Sequence, residues 1–300
     1  MPRYILDKAA VRVAIGAFVL LLALSPAVAA ADPDAVARGR YLAAAAGCDQ
    51  CHTDTEHGGQ PYAGGRLFVT AFGTIPTPNI TPDKDTGIGR WSSADFVRAM
   101  RWGIAPDDSH YVPLFPYLFY NRLTDGDLAD LKAFLDSLAP VSRPDLRGTG
   151  STALVQRAQA ALAVVVTPLL GPWKPDPDKD ALWNRGAYLV AGIGRCGDCH
   201  TPPTWLGAPD PDRFLAGNTA VGPKEKKAPN ITPDRGTGIG NWTEADVTGL
   251  LTDGRTPDFE FVGGPMAEIV KSTAHLTEGD RLAIAVYLRS VPAKPSPEKR

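Results

Sequence analysis

The chain has 300 residues and a formal net charge of −2 at pH 7, so its charge gives no reason to expect nucleic acid as a partner. Its 28 prolines and 30 glycines predict loop-rich domains, and its length allows two of them. Two copies of one motif use all 4 cysteines, so none is left for a disulfide or a catalytic thiol.

Residues 1–31 have the pattern of a secretory signal peptide. Positive side chains come first, at Arg3, Lys8 and Arg12. The uncharged run Val13–Leu24 follows, and it is too short for a bilayer-spanning helix, which needs ~20 residues. Ala27–Ala29 and Ala29–Ala31 are both small-residue cleavage patterns. We therefore expect cleavage and export to the periplasm; an uncleaved membrane anchor is the alternative.

The same five-residue pattern occurs twice, as Cys48-Asp49-Gln50-Cys51-His52 and as Cys196-Gly197-Asp198-Cys199-His200. Two cysteines three positions apart, with a histidine directly after the second, form the signature of covalent haem c attachment. Each thiol adds to one vinyl group of a haem, and the histidine reaches the iron as proximal ligand. We predict two covalently bound haem c groups. Their attaching cysteines and iron ligands are Cys48, Cys51, His52, Cys196, Cys199 and His200.

Two other interpretations of a C-x-x-C pair are a redox dithiol and a zinc site. A thioredoxin-type dithiol needs a βαβ setting, which the sequence does not show. A structural zinc ribbon spaces its pairs by roughly 15–20 residues, whereas Cys51 and Cys196 are 145 positions apart (196 − 51). Neither alternative explains a histidine after both pairs, and export suits haem attachment, so haem is the favoured interpretation.

Other motifs repeat as well, which indicates two homologous halves. The run Pro-Asn-Ile-Thr-Pro-Asp occurs at residues 78–83 and 229–234, and a Thr-Gly-Ile-Gly run and a tryptophan repeat with it. These copies are 151 positions apart (229 − 78), while the haem motifs are 148 apart (196 − 48), so three residues are inserted between them. We predict one domain over residues 32–145, a linker over 146–180 and a second domain over 181–300.

The apolar periodicity predicts a mostly helical chain. A helix is expected before each haem motif and after each repeated tryptophan, over Pro33–Ala46, Lys179–Gly192, Trp91–Trp102 and Trp242–Asp253. A serine or threonine just after each tryptophan is expected to cap the helix. The last helix of each half is expected to start at Thr124 or Thr277, with an aspartate three residues on that gives a capping-box-like start.

The predicted linker contains an uncharged apolar segment, residues 158–170. This segment has a proline inside and is too short to span a membrane. One interpretation is a helix packed between the two domains. The other is a segment that lies on a membrane or on a membrane-bound partner, with Trp173 at the interface.

The ordered motifs, from Gly39-Arg40-Tyr41-Leu42 through Cys48–His52 to Leu123-Thr124-Asp125, resemble a known family. They are similar to the class I cytochrome c domains in the multi-haem cytochrome c subunits of bacterial membrane alcohol, gluconate and fructose dehydrogenases. The resemblance covers residues 33–292. It implies an all-α fold of two tandem class I cytochrome c domains, with electron transfer as the activity. Those subunits commonly carry three haems, so this chain, with two motifs, resembles a dihaem relative.

The resemblance also implies a methionine as second axial ligand, in the loop before the last helix, where it raises the reduction potential. The methionines of this chain are Met1, Met100 and Met266. Met266 lies ten positions before Leu276 (276 − 266), where that loop is expected, and is the predicted iron ligand of the second half. The offset of 151 (266 − 115) places Phe115 at the matching position of the first half, and phenylalanine cannot bind iron.

Three alternatives remain for the first haem. His110, five positions before Phe115 (115 − 110), binds the iron if its loop folds inward. An open or water-ligated iron is the second choice. Met100, on the preceding helix, is the third, because it aligns with Leu251 (251 − 100 = 151) and is expected to be a core residue. In each case without methionine we expect the first haem to have the lower potential. Trp91 and Trp242 are expected either to pack in the core or to donate a hydrogen bond to a haem propionate.

The resulting prediction is a periplasmic dihaem c-type cytochrome that transfers single electrons and is not itself an enzyme. A dehydrogenase is the expected donor, and a downstream oxidase or the quinone pool is the expected acceptor. A membrane-surface contact through the linker is the alternative to its packing between the domains. The rival is a dihaem enzyme of the peroxidase or thiosulfate-oxidising type, with an open or unusually ligated first haem. A haem-based sensor is a third class, and no output domain is visible in the sequence.

Overall fold

The chain forms helices joined by long loops, as a computed structural model shows. The structure describes residues 32–70, 73–112, 114–144, 171–205, 208–221 and 226–297. The predicted signal peptide (1–31) and the apolar segment of the linker (158–170) lie outside these ranges. Below, the first half means the described residues up to 144, and the second half means those from 171 onward.

The two halves contain the same order of elements. In the first half they are α1 (Pro33–Ala46), α2 (Cys48–His52), β1 (Leu67–Thr70), β2 (Gly73–Pro76), α3 (Ser93–Trp102), α4 (Tyr117–Tyr120) and α5 (Asp125–Asp136). In the second half they are α6 (Ala181–Ala191), α7 (Cys196–His200), β3 (Asn218–Val221), β4 (Lys226–Ala228), α8 (Glu244–Asp253), α9 (Pro265–Thr273) and α10 (Glu278–Ser290). The predicted helices therefore agree with the observed ones to within two residues.

Local sequence signals fix the ends of α3 and α8. Ser92 and Asp95 form a reciprocal capping box at the start of α3, and Thr243 and Asp246 form the same box at the start of α8. The predicted hydroxyl cap after each tryptophan is thus confirmed. Helix α3 ends at Gly103 (φ 65°), in the left-handed conformation that glycine adopts without steric cost, and α8 ends in the same way.

The first and last helices of each half pack against each other, α1 on α5 and α6 on α10. A Cβ at Gly39 would lie 1.9 Å from the carbonyl oxygen of Asp130, and a Cβ at Gly186 would lie 1.9 Å from that of Ala283. Because these distances are far below van der Waals contact, both helix pairs require glycine at the crossing. The buried side chains of the two halves form one continuous core, with Leu128, Leu131, Phe134, Leu189 and Ile193 among its fully buried members.

Two tyrosines join the halves by equivalent hydrogen bonds. Tyr41 on α1 donates its hydroxyl hydrogen to Asp280 Oδ2 (2.5 Å), and the Tyr41 oxygen accepts the backbone N–H of Thr277 (3.1 Å). Tyr188 on α6 donates to Asp127, and its oxygen lies 3.3 Å from the backbone nitrogen of the residue that caps α5. Each half therefore reaches the start of the last helix in the other half.

These contacts correct the predicted start of α5 and α10. Thr124 and Thr277 do cap the helices, because each side-chain oxygen accepts the N–H of the aspartate three residues on. In a complete capping box that aspartate would accept the N–H of its own cap residue. Here the carboxylates of Asp127 and Asp280 bind a tyrosine of the opposite half, and the tyrosine oxygen takes the free N–H.

The mostly helical architecture is confirmed, but an all-α description is too narrow. Each half contains a short antiparallel hairpin after the haem motif, with Leu67 opposite Pro76 in one and Asn218 opposite Ala228 in the other. Helices α4 and α9 were not predicted either. The strands and helix α4 have three or four residues each, which carry too little periodicity to be recognised in a sequence. Helix α9 is longer, with nine residues, and was missed because the resemblance implied a loop there.

Trp173, at the end of the linker, packs against protein on both sides. Its backbone N–H donates to the carbonyl oxygen of Arg122 (2.9 Å), and the Arg122 guanidinium lies 5.1 Å from its ring centroid. The Tyr188 ring centroid is 6.4 Å away. At this residue the structure favours the packing interpretation over a membrane interface. Within the described ranges, no helix is both long enough and apolar enough to cross a bilayer.

Candidate functional site

The two haem motifs fold as one-turn helices, α2 and α7. Positions i, i+3 and i+4 share one face of a helix, so the two cysteines and the histidine of each motif lie side by side. All four thiols are free. Burial raises the pKa of the Cys48 and Cys196 thiols to about 12 and that of Cys199 to about 11. Reactive dithiols have a lowered thiol pKa, so these pairs do not fit the redox-dithiol alternative.

The histidine of each motif is held through its second ring nitrogen. His52 Nδ1 lies 2.8 Å from the carbonyl oxygen of Pro78, and His200 Nδ1 lies 2.7 Å from that of Pro229. Because a carbonyl oxygen can only accept, Nδ1 carries the hydrogen in both rings. Burial lowers the pKa of both imidazoles, which favours the neutral form. Each Nε2 then keeps its lone pair, which is what an iron ligand needs.

The repeated Pro-Asn-Ile-Thr motif holds these carbonyl groups in place. Buried Asn79 donates from Nδ2 to Thr86 Oγ1 (3.0 Å) and to the carbonyl oxygen of Val141 (2.7 Å). Its Oδ1 accepts the N–H of Thr81 (2.9 Å). The partners of Asn230 in the second half are Thr237, Lys294 and Thr232. The asparagine directly follows the proline whose carbonyl holds the histidine, so the motif supports the predicted iron ligand.

Met266 lies at the start of helix α9, whereas the sequence predicted a loop there. Pro265 is the first residue of this helix and Gly264 (φ 59°) precedes it. Proline at the first helical position starts a helix readily because its fixed φ suits the helix and no N–H is needed there. The Met266 side chain is half-buried. Its role as an iron ligand stays a prediction.

Phe115 occupies the position of the first half that matches Met266. Its ring is half-buried and packs edge-to-face between two tyrosines, with centroid distances of 5.6 Å to Tyr111 and 5.5 Å to Tyr120. The aromatic side chain thus has a packing role in the first half at the point where the second half has its predicted ligand.

The two candidate replacement ligands lie in different surroundings. Met100 is buried in the core on α3, which agrees with the preference for a core position. His110 is exposed, and its backbone pairs with Ile104 in an isolated antiparallel bridge. Iron ligation by His110 requires the loop to fold inward and stays a prediction.

The two repeated tryptophans, Trp91 and Trp242, are partly buried and pack against the core. Their packing role is therefore confirmed in both halves. A hydrogen bond from either indole N–H to a haem propionate stays a prediction.

Two charged residues beside the motifs were missed by the sequence analysis. Arg143 donates to the carbonyl oxygen of Gly64 (2.7 Å) and to Asp54 Oδ2 (3.1 Å), which closes the loop after α2. No local pattern could have found this pair, because its partners are 89 positions apart. Arg195 directly precedes Cys196 and has a left-handed backbone (φ 44°). Its position directly before the motif could be seen in the sequence, but the sequence analysis assigned Arg195 no function.

The residues present fit haem c in both halves. Each half has two free thiols and an imidazole with an unprotonated Nε2, all on one short helix. In the part of the chain that the structure describes, no three side chains of the types His, Cys, Asp or Glu converge as a metal-binding group. The zinc alternative therefore lacks a ligand set there.

Comparison with known proteins agrees with this chemistry. The family model described as cytochrome c matches residues 36–139. The chain is 40% identical over 271 residues to the "Diheme cytochrome c-type" protein of Cereibacter sphaeroides, with 85% of this chain and 86% of that protein covered. It is 39% identical over 272 residues to the fructose dehydrogenase cytochrome subunit of Gluconobacter japonicus, which covers 90% of this chain and 55% of that subunit.

The gluconate 2-dehydrogenase cytochrome c subunit of Pantoea cypripedii is also similar, with 38% identity over 271 residues, 86% of this chain and 60% of that subunit. The chain therefore spans little more than half of these two dehydrogenase subunits but most of the dihaem cytochrome. The relatives are cytochrome subunits, so the prediction of an electron-transfer protein rather than an enzyme is confirmed. The family match in the first half and these relatives, which cover both halves, show that this chain belongs to the cytochrome c family.

Proposed function

We propose that the chain is a dihaem c-type cytochrome that passes single electrons from a dehydrogenase to a later respiratory acceptor. Its two tandem class I cytochrome c domains are residues 32–145 and 181–300. The observation that carries the proposal is the duplication of the whole site. Each half presents the attachment motif on a one-turn helix, and in each half a proline carbonyl holds Nδ1 of the histidine.

Bound haem supplies a one-electron couple in which the iron alternates between its ferric and ferrous states. The residues of the chain provide attachment, orientation and environment. The four cysteines make the attachment covalent, so the group does not dissociate. The carbonyl oxygens of Pro78 and Pro229 fix the ring orientation, and the Nδ1–H bond makes each Nε2 a more basic ligand.

The proposed donor is a dehydrogenase, because relatives of this chain are cytochrome subunits of fructose and gluconate dehydrogenases. An oxidase or the quinone pool is the proposed acceptor. The signal-peptide pattern of residues 1–31 supports a periplasmic location. The uncharged run at residues 158–170 supports a contact with the membrane surface or with a membrane-bound partner.

Intact-mass measurement of the purified protein tests the cofactor part of this proposal. We expect two covalent haem additions per chain and the loss of residues 1–31. Paired substitution of Cys48 and Cys51 by alanine should remove one addition, and the same change at Cys196 and Cys199 should remove the other. Haem that is extractable with acid, or one addition in the wild type, would contradict the proposal.

Electron transfer is tested by mixing the oxidised protein with a dehydrogenase of the kind named for its relatives, fructose or gluconate dehydrogenase, and the substrate of that enzyme. Reduction of both haems at a rate that depends on the dehydrogenase concentration is the expected result. Steady turnover of peroxide by the pure protein, without transfer from a dehydrogenase, would instead favour the rival dihaem enzyme.

A further inference from the structure

Arg195, which precedes the second attachment helix, has a backbone conformation that is unfavourable for arginine. It is the residue before Cys196, with φ 44° and ψ 37° in the left-handed region. The matching residue of the first half, Gly47, has nearly the same angles (φ 67°, ψ 35°). Glycine adopts this conformation without cost, whereas a residue with a Cβ does not. Backbone strain at such a position is a reason to look for a function of the side chain.

Both attachment motifs contact the opposite half of the chain. In the first motif, Gln50 Nε2 donates to Ser272 Oγ of α9 (2.8 Å). In the second motif, a Cβ at Gly197 would lie 3.0 Å from Phe119 Cε1 of α4. Each motif thus packs against the helix that precedes the last helix of the opposite half, and both motifs lie at the junction between the halves.

The Arg195 side chain lies beside the second motif and is 20% exposed. Its guanidinium Nη1 is 3.8 Å from Asp198 Oδ2, beyond hydrogen-bond distance. To the described residues the guanidinium donates no hydrogen bond. Burial raises the pKa of the Cys48 thiol in the first half and of the Cys196 thiol in the second, and the Arg195 charge opposes both rises, so the guanidinium lies within electrostatic range of both motifs.

Tyr120 of α4 is buried within electrostatic range of Arg195. Its side chain is 5% exposed, and its hydroxyl has no hydrogen-bond partner in the described residues. Burial raises its pKa, and the charges of Arg195, Cys48 and Cys51 act on it as well. Tyr120 of the first half and Arg195 of the second half therefore lie near each other at the junction between the halves.

We propose that Arg195 is a positioning residue for electron transfer, whose fixed positive charge raises the reduction potential of the haems held by both halves. The proposal rests on the dihaem function above. On reduction each iron gains one electron from the dehydrogenase, and no bond of the protein forms or breaks. The added negative charge is stabilised by a nearby cation, and a guanidinium stays protonated at any pH at which proteins fold.

The size of the effect follows from Coulomb's law. At an effective dielectric constant of ~20, two unit charges on the order of 12 Å apart interact by about 1.4 kcal/mol, which is a tenfold change in the ratio of reduced to oxidised protein. For a one-electron couple a tenfold change corresponds to about 59 mV. The neighbouring buried groups exclude part of the solvent, so added salt should screen this charge less than it screens an exposed one.

The test is a spectroelectrochemical titration of the haem-loaded protein. Arg195→Gln removes the charge, Arg195→Lys retains it, and Arg195→Gly removes it while installing the residue that Gly47 provides in the first half. The matched control is Arg90→Gln, which removes an exposed arginine paired with Asp85 (2.6 Å). We expect Arg195→Gln and Arg195→Gly to lower the midpoint potentials of both haems, each by about 59 mV, which corresponds to a tenfold change in the reduced-to-oxidised ratio. Arg195→Lys and Arg90→Gln should stay within about twofold of the wild type.

Unchanged midpoints in Arg195→Gln and Arg195→Gly would overturn the proposal, and so would an Arg195→Lys shift as large as that of Arg195→Gln. Arg195→Gly keeps the test decisive if the glutamine variant misfolds, because it relieves the left-handed backbone. Failure of the dihaem function itself is distinguishable: intact mass would then show fewer than two haems in the wild type. If the wild type carries two haems but the Arg195 variants have unchanged potentials, only the proposed role of Arg195 is wrong.

Discussion

Tyr41→Phe tests whether the exchanged tyrosines stabilise the joined halves. The Tyr41 hydroxyl donates to Asp280 Oδ2 at 2.5 Å and accepts the N–H of Thr277 at 3.1 Å. Asp280 is 9% exposed and also accepts two hydrogen bonds from Arg185, at 2.8 and 2.6 Å. The substitution removes one donor from a carboxylate that is nearly out of contact with water, and it leaves the ring in place.

The expected magnitude follows from these contacts. A hydrogen bond to a charged group contributes ~1.5–3 kcal/mol. Asp280 keeps both bonds from Arg185, which limits the loss, and the exposed Thr277 N–H can bind water instead. We therefore expect the free energy of unfolding to fall by about 2 kcal/mol. Because the two halves share one core, unfolding should remain a single cooperative transition.

The assay is denaturant unfolding of the haem-loaded protein, followed by far-ultraviolet circular dichroism. Tyr117→Phe is the matched control, since Tyr117 is 2% exposed and its hydroxyl has no hydrogen-bond partner within the described residues. Removing that hydroxyl should be neutral or slightly stabilising. A loss below about 0.5 kcal/mol in Tyr41→Phe, or two separate transitions in the wild type, would refute the reasoning.

Three further outcomes can be measured on the same preparation. Met266→Ala should abolish the methionine–iron charge-transfer band, and Phe115→Met should add a second such band to the wild-type spectrum; a band that persists in Met266→Ala would mean that another methionine binds iron. Asn79→Leu removes four hydrogen bonds and should lower the free energy of unfolding by about 4 kcal/mol in a denaturant titration. Burial raises the pKa of Asp280, but hydrogen bonds from Arg185 and Tyr41 lower it more, and the net shift is downward. Its stabilisation is full above the ordinary carboxyl pKa of ~4 and is lost as pH falls through the lower folded value, so the wild type and Tyr41→Phe should converge in acid.

Structural features that depend on a few consecutive residues could be predicted from the sequence. The attachment motif needs five consecutive residues, and the reciprocal box of Ser92 and Asp95 needs four, so both could be read directly. The repeat was also visible, because the same run occurs at residues 78–83 and 229–234. The role of that run was not visible, since it depends on bringing the Pro78 carbonyl to His52, 26 positions away.

Features that pair distant residues could not be predicted. Tyr41 and Asp280 are 239 positions apart, and the local pattern at Asp280 predicted a different partner, the cap of its own helix. The left-handed backbone at Arg195 contradicts local preference, which would place glycine there. The helical start at Met266 was also missed, because the resemblance implied a loop and outweighed the helix signal of Pro265.

The halves agree in the residues that hold the haem and differ in those that set its potential. The bond from the histidine to the proline carbonyl and the asparagine network below it occur in both halves with nearly the same distances. Two positions with proposed roles at the haem differ between the repeats, where Gly47 matches Arg195 and Phe115 matches Met266. The Arg195 charge acts on cysteines of both halves, so under the proposed roles it raises both potentials. Only the methionine then separates them, and since methionine ligation raises the potential, an electron would pass downhill from the first half to the second.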